Sequence, residues 1–244
     1  MTVRPTQAMI LAAGLGTRMR PLTDKTPKPL LELCGKSLME HAFDRLLAAG
    51  VQDVVVNAHW KAEQVEAYLA ARGPVPHTTL MREAALLDTG GSVQSALPLL
   101  GAAPFYVING DAYWVDGPRP VLARLAQAFE PAEVDGVLLV HRAFGVRAEV
   151  GFGDFSVDKW GRPSRRGERQ VVPYVYAGVQ LISPALMAGM PAAPFSMNRA
   201  WDRAIASGRL RVVVHDGLWF HLSTPADLQD AEQMLTAPAY GEAR

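Results

Sequence analysis

At 244 residues the chain sits at the upper end of one domain and is long enough to bury a sizeable core. Its 24 lysines and arginines balance 24 aspartates and glutamates, so no overall field exists to recruit nucleic acid or an anionic membrane. Cys34 is the only cysteine, which excludes an internal disulfide and a cysteine-based metal site; no apolar run approaches the ~20 residues that span a bilayer, and the apolar stretch after Arg4 is too short for a signal peptide. The expectation is a cytoplasmic enzyme or binding protein, monomeric or a small homo-oligomer.

In chain order, the first element is the apolar run 8–13, too short and too smooth for an exposed segment, which predicts an inner strand of a parallel sheet. Gly14 and Gly16 follow at once and let the backbone approach an anion, with amide N–H groups pointing at phosphate oxygens. Arg18 offers a bidentate fork, and Lys28, stiffened between Pro27 and Pro29, a mobile point charge. Two cations of different geometry suit a chain of phosphates that must be both held and allowed to react. This is no dinucleotide fingerprint, because Met19 stands where the third glycine belongs, and no P-loop, because no Gly-Lys-Ser/Thr follows. Pro21, Pro27 and Pro29 forbid a helix directly after the glycines, which predicts a long wrapping loop.

Ser37 and Glu40 predict a capping box, and Met39, Ala42, Phe43, Leu46 and Leu47 keep a helical stripe until Gly50 ends it. Residues 54–57 read as a second buried strand, 60–71 as a helix, 77–81 as a strand, 87–99 as a helix and 105–109 as a strand that ends in Gly110-Asp111. Such alternation argues a parallel sheet with right-handed crossovers. Further on, a helix over 121–129 and strands over 136–140, 152–157, 171–181 and 210–214 are expected to extend the sheet and to build a lid over its carboxyl edge. Thr224, Pro225 and Asp227 start a last helix, and the tail 238–244 is expected to fray.

Ligands of open α/β sheets bind beyond the carboxyl ends of the strands, where both the Gly14 loop and Asp111 fall. On spacing alone, Asp111 is equally a Mg²⁺ ligand or a cap on its turn. The cationic loop beside it favours the metal, since Mg²⁺ on a nucleotide needs only one or two carboxylates plus phosphate oxygens. Thr89, Gly90 and Gly91 open a helix with amide donors and little bulk, suited either to a flat nucleobase or to an ordinary glycine-rich cap. Arg82 and Glu83 precede them, within reach of base or ribose edges. His59, His141 and His215 show no metal-ligand spacing, and no Gly-x-Ser-x-Gly marks a serine nucleophile. Arg162, Arg165, Arg166 and Arg169 read as a solvated hairpin tip.

The string Gly14-x-Gly16-x-Arg18, Pro21-Leu22-Thr23, Pro27-Lys28-Pro29 resembles the signature of the sugar-phosphate nucleotidyltransferases, and the likeness runs from residue 7 to about 235. Within that family, Asn57-Ala58-His59-Trp60, Asp88-Thr89-Gly90-Gly91, Asn109-Gly110-Asp111 and the run from Trp219 to Pro225 look most like the short bacterial N-acetylmuramate-1-phosphate uridylyltransferases of cell-wall recycling. Mannose-1-phosphate guanylyltransferases and glucose-1-phosphate thymidylyltransferases are similar but less so.

The resemblance implies a Rossmann-like α/β fold of the nucleotide-diphospho-sugar transferase type, a mixed but mostly parallel sheet with helices on both faces. Residues 1–115 would form a nucleotide-binding half and 116–244 a sugar-binding half. It implies nucleotidyl transfer from UTP to N-acetylmuramate 1-phosphate with release of pyrophosphate. The alternatives are guanylyl transfer to mannose 1-phosphate, cytidylyl transfer to phosphocholine, and a non-catalytic sugar-nucleotide sensor. By resemblance Arg18 holds the β- and γ-phosphates, Lys28 bridges the α-phosphate and the sugar phosphate, Gly90 and Gly91 seat the base, and Asp111 binds Mg²⁺. Ala13, Gly14, Leu15, Gly16, Thr17, Arg82, Glu83 and Thr89 complete the nucleotide contacts, while Asn109, Asp154 and Gly178 meet the sugar phosphate. One position departs: His221 stands where the family usually places a second metal-binding aspartate, with Ser223 replacing a glycine. That suits a hydrogen bond to phosphate, or Mn²⁺. The lactyl carboxylate of N-acetylmuramate calls for a cation or hydrogen-bond donors, expected from the 142–169 region and above all from Arg147, Arg165 or Arg166. The chain lacks the C-terminal left-handed β-helix of many longer relatives, so no acetyltransferase activity is expected.

Overall fold

Strand β1 (Gln7–Leu11) buries residues on both sides: Ala8 and Ile10 enter one apolar layer and Met9 the other. The same alternation recurs in the neighbouring strands, with Val54 and Val56 against Val55, and Tyr106 and Ile108 against Phe105 and Val107. A sheet covered on both faces reads as a continuous apolar run because each face has its own core. The computed structural model describes residues 3–144 and 150–237, so Arg147 and the tail expected to fray lie outside the described residues.

After β1 come a small hairpin of β2 (Glu32–Leu33) and β3 (Lys36–Ser37), helix α1 (Leu38–Ala48), β4 (Asp53–Ala58), α2 (Ala62–Arg72), β5 (His77–Arg82), α3 (Asp88–Leu100) and β6 (Phe105–Asn109). The second half runs β7 (Ala112–Val115), α4 (Val121–Ala128), β8 (Gly136–Arg142), β9 (Phe155–Val157), β10 (Pro163–Arg165), β11 (Tyr174–Ile182), α5 (Asn198–Ala206), β12 (Leu210–Val214), β13 (Leu218–His221) and α6 (Pro225–Thr236). Helices α1, α2 and α4 cover one face of the sheet, and α3 and α5 the other. None of the described helices is long and apolar enough to cross a membrane.

Nine of the described strands form one sheet. β6, β1, β4 and β5 lie side by side and parallel, so the ends of β1 and β6 come together at Leu11 and Asn109. β11 then enters antiparallel between β6 and β8, and β12 continues parallel to β8. This is the mixed, mostly parallel sheet expected from the sequence.

Several details differ from the sequence reading. Ser37 caps α1 by accepting from the Glu40 amide at 3.1 Å, but the return half of the capping box is not formed, because the Glu40 carboxylate takes the Tyr68 hydroxyl and the Arg72 guanidinium instead. The full reciprocal box occurs at α6, between Thr224 and Asp227. β7, β10, β13 and α5 were not anticipated. β7 pairs antiparallel with β13, which places His221 opposite Ala112, next in the chain to Asp111. That short ribbon and α6 pack against Met19 and Leu31 of the segment that follows β1.

Candidate functional site

The segment after β1 contains no α-helix, as the prolines require; it coils through three single 3₁₀ turns, Thr17–Met19, Leu22–Asp24 and Lys28–Leu30. Its start and its middle are both tied down. The Ala12 amide donates to Asn57 Oδ1 at 2.7 Å, and the Thr23 hydroxyl donates to the Gly16 carbonyl at 2.8 Å. The Trp60 indole donates to the Thr23 carbonyl at 3.1 Å. A loop held this way presents its amides without first having to order itself, which is what an anion cradle needs.

The two glycines serve different masters. Gly16 has φ +62°, and a Cβ there would stand 2.9 Å from Thr23 Cγ2, so the fold itself demands glycine. Around Gly14 a Cβ would meet nothing within 4 Å, and the residue faces a cavity. Gly16→Ala is therefore expected to lower stability by about 1–2 kcal/mol. Gly14→Ala is expected to melt as the unaltered chain does while weakening nucleotide affinity by about tenfold. Calorimetry and nucleotide titration separate the two, and a destabilised Gly14→Ala would show that its bareness serves the fold.

The cavity beyond β1 and β6 has a volume of about 510 Å³. Ala13, Gly14, Gly16, Thr17, Arg18, Lys28, Glu83, Thr89, Asn109 and Asp111 all line it, so ten of the residues singled out in the sequence converge here. Lys28 Nζ donates to Asp111 Oδ2 at 2.5 Å, with the lysine side chain only 12% exposed. The strand end thus fixes the ammonium on the cavity wall. Glu83 is buried, and its Oε1 accepts from Asn57 Nδ2 at 2.7 Å and from Ser92 Oγ at 2.6 Å. Ala12, Asn57, Glu83 and Ser92 form a polar chain that links β1, β4, β5 and α3 beneath the cavity. Asn57 and Ser92 were missed as site residues; an asparagine ending an apolar strand was the available signal. Ser223, which also lines the cavity, was seen only as a departure from a motif.

Gly90 and Gly91 are placed differently from expectation. Their amides are not open donors: both donate to the Phe195 carbonyl, at 2.8 and 3.1 Å. A Cβ on Gly90 would fall 2.4 Å from the Phe195 ring, so these glycines let the 193–197 segment press onto α3. Thr89, beside them, does face the cavity. Arg82 is exposed and pairs with Glu66, and neither it nor Leu15 lines the cavity.

A second cavity of about 230 Å³ adjoins the first, sharing Leu11, Thr89 and Asn109 with it. Asp154 lines it, and its Oδ2 accepts from the Tyr176 amide at 2.9 Å. Gly178, at φ +81°, lies behind Asn109 and Ala112 without reaching the cavity. No lysine or arginine is among its described lining residues. Neither Arg165 nor Arg166 is among the described lining residues: Arg166 lies over Phe152, and Arg165 is held by Asp202 and by Asn198, which itself lines the cavity.

His221 is half-buried and lines a separate cavity with His141, Trp219 and Asp227, whereas Ser223, two residues on, lines the first; its Nε2 has no hydrogen-bond partner among the described residues. Burial holds its imidazole below the usual histidine range, while the negative charge of Asp111 pulls the other way. The described residues contain no group of three or more acidic, histidine or cysteine side chains able to hold a metal by themselves.

Against this geometry, a model of the MobA-like NTP transferase domain matches residues 8–214. The chain belongs to that family. The MobA-like NTP transferase is 39% identical over 96% of its length to an N-acetylmuramate α-1-phosphate uridylyltransferase of Caulobacter vibrioides, covering 99% of that protein. It is 33% identical over 95% of its length to an enzyme of the same name from Neisseria meningitidis, again covering 99%. Among solved structures, a glucose-1-phosphate thymidylyltransferase of Bacillus anthracis, described there as putative and in complex with sucrose, superposes with a TM-score of 0.80 at 18% identity over 97% of each chain, a likeness of fold. The family transfers nucleotidyl groups from nucleoside triphosphates to sugar 1-phosphates, and this MobA-like NTP transferase is one of its nucleotidyltransferases.

Proposed function

We propose that the chain transfers the uridylyl group of UTP to N-acetylmuramate α-1-phosphate and releases pyrophosphate. The observation that carries this reading is 39% identity along nearly the whole chain to an enzyme of that name, joined to a cavity in which Gly14, Arg18, Lys28 and Asp111 meet. Arg18 and the loop amides hold the triphosphate. Lys28 shifts between Asp111 and the α-phosphate, and Asn109 and Asp154 face the acceptor. The attacking phosphate is largely dianionic at neutral pH because its second pKa is ~6, so no general base is needed. Positioning and charge neutralisation suffice.

A divalent cation arriving on triphosphate oxygens would find one carboxylate on the cavity wall, Asp111, which suits a hard ion that keeps phosphate and water oxygens as its other ligands. Mg²⁺ bound there would neutralise phosphate charge during transfer. An imidazole ligand at His221 would suit Mn²⁺ better than Mg²⁺. His221→Asp is expected to keep activity and to shift the Mn²⁺ to Mg²⁺ activity ratio toward Mg²⁺. An unchanged ratio, with His221→Ala equally silent, would remove His221 from the metal site.

The decisive experiment is pyrophosphate release over four nucleoside triphosphates and a set of sugar 1-phosphates. UTP with N-acetylmuramate 1-phosphate should give the highest kcat/KM. Equal efficiency on N-acetylglucosamine 1-phosphate would sink the muramate assignment, a preference for GTP with mannose 1-phosphate would make it a guanylyltransferase, and no release with any pair would favour a sensor.

A further inference from the structure

β11 does not run straight past the site. Its pairing with β8 shifts register between Tyr176 and Gln180, and within this irregularity Gly178 sits so tightly that a Cβ would come within 2.8 Å of the Ala112 Cβ. A bulge re-aims the side chains beside it. Here both Tyr176 and Gln180 line the 230 Å³ cavity.

The surroundings of Tyr176 are engaged. Its ring meets the Trp201 ring edge-on with centroids 4.7 Å apart, and the Trp201 indole donates to Gln180 Oε1 at 2.9 Å. Its amide donates to Asp154. The exception is its own hydroxyl, which is buried without a hydrogen-bond partner among the described residues. A buried hydroxyl left unpaired is a net loss to folding, so its retention in a cavity wall calls for a ligand that completes it. Burial, reinforced by the negative charge of Asp111, pushes the phenol well above its ordinary range, so it stays protonated and able to donate. The cavity that Tyr176 lines meets the larger one along Leu11, Thr89 and Asn109, so it opens toward the end of β6 that carries Asp111.

We propose that Tyr176 is a substrate-binding residue for the acceptor, its hydroxyl donating a hydrogen bond to an oxygen of the anomeric phosphate of the sugar 1-phosphate. Asp154, anchored at the other end of the same residue, faces the sugar ring. This inference rests on the nucleotidyl-transfer reading and adds to it a contact that no cation supplies.

Tyr176→Phe tests it, because phenylalanine keeps the ring against Trp201. The Kd of N-acetylmuramate α-1-phosphate, N-acetylglucosamine 1-phosphate and glucose 1-phosphate would be measured by calorimetry, together with the KM of the best acceptor and of its nucleotide. The expected result is a rise of about tenfold in acceptor KM, a similar weakening for each sugar 1-phosphate that the unaltered chain binds, an unchanged nucleotide KM, and a melting temperature that holds or rises. Acceptor constants within twofold of the unaltered chain, or an equal loss of nucleotide affinity, would overturn the proposal. Weakening confined to N-acetylmuramate 1-phosphate would also overturn it, moving the contact to the sugar. If the unaltered chain prefers another sugar, the muramate reading falls, and the Tyr176 comparison is read on that sugar.

Discussion

Asp111→Asn is expected to lower kcat by about 10³-fold, the scale seen when a preorganised charge contact at a reacting centre is removed. The change keeps shape and loses charge. Lys28 then loses the anchor that holds it at 2.5 Å, and the end of β6 loses the carboxylate it presents to the larger cavity. Lys28→Met makes the complementary test. If the ammonium acts on the transferring phosphoryl group, kcat should fall by about 10²-fold or more while nucleotide affinity changes little, since contacts made mainly in the transition state act on the rate. The two losses should not add in the double variant, because the residues are in direct contact. Unchanged turnover with weaker nucleotide binding would show that Lys28 only anchors the ground state.

Gly90→Ala is expected to cost about 3 kcal/mol of stability, the upper range for forcing a methyl group into a packed site. Its Cβ would lie 2.4 Å from the Phe195 ring and 2.8 Å from the Phe195 carbonyl, and neither has room to retreat while that carbonyl holds the Gly90 and Gly91 amides. The start of α3 and the 193–197 segment should loosen together, and hydrogen exchange at those two amides should report it. Because Thr89 Oγ1 accepts from the Met197 amide at 3.0 Å, the edge shared by both cavities should move as well. A denaturation midpoint equal to that of the unaltered chain would show that the segment yields easily.

Those two glycines mark where sequence reading stops. A glycine pair at a helix start looks the same whether its amides face a ligand or a carbonyl from another part of the chain, and Phe195 is far away in sequence. The Gly14 to Lys28 loop was legible because its cues are local: strand, two glycines and prolines that forbid a helix. The parallel β1, β4 and β6 were legible for the same reason, each being an apolar run bounded by turns, and β5, a mostly polar edge strand, by its place in the alternation of strand and helix. The β7–β13 ribbon was not, since four-residue strands joined across a long separation leave little periodicity. Arg165 was singled out by its charge alone, and its partner Asp202 stands on a helix that was not foreseen.

The shared edge of the two cavities bears on how such a protein changes over generations. Among the described residues only Leu11, Thr89 and Asn109 belong to both; otherwise the larger cavity is built from the first half of the chain together with Ser223, and the smaller one from Asp154, β11 and residues 196–201. On the proposed function, chemistry and choice of acceptor would therefore be written in largely separate stretches of the gene. Substitutions in the later stretch would then trade one sugar for another while the activation step is inherited intact, so a laboratory selection for a new acceptor would have a small target, centred on the bulge at Gly178 and the start of α5.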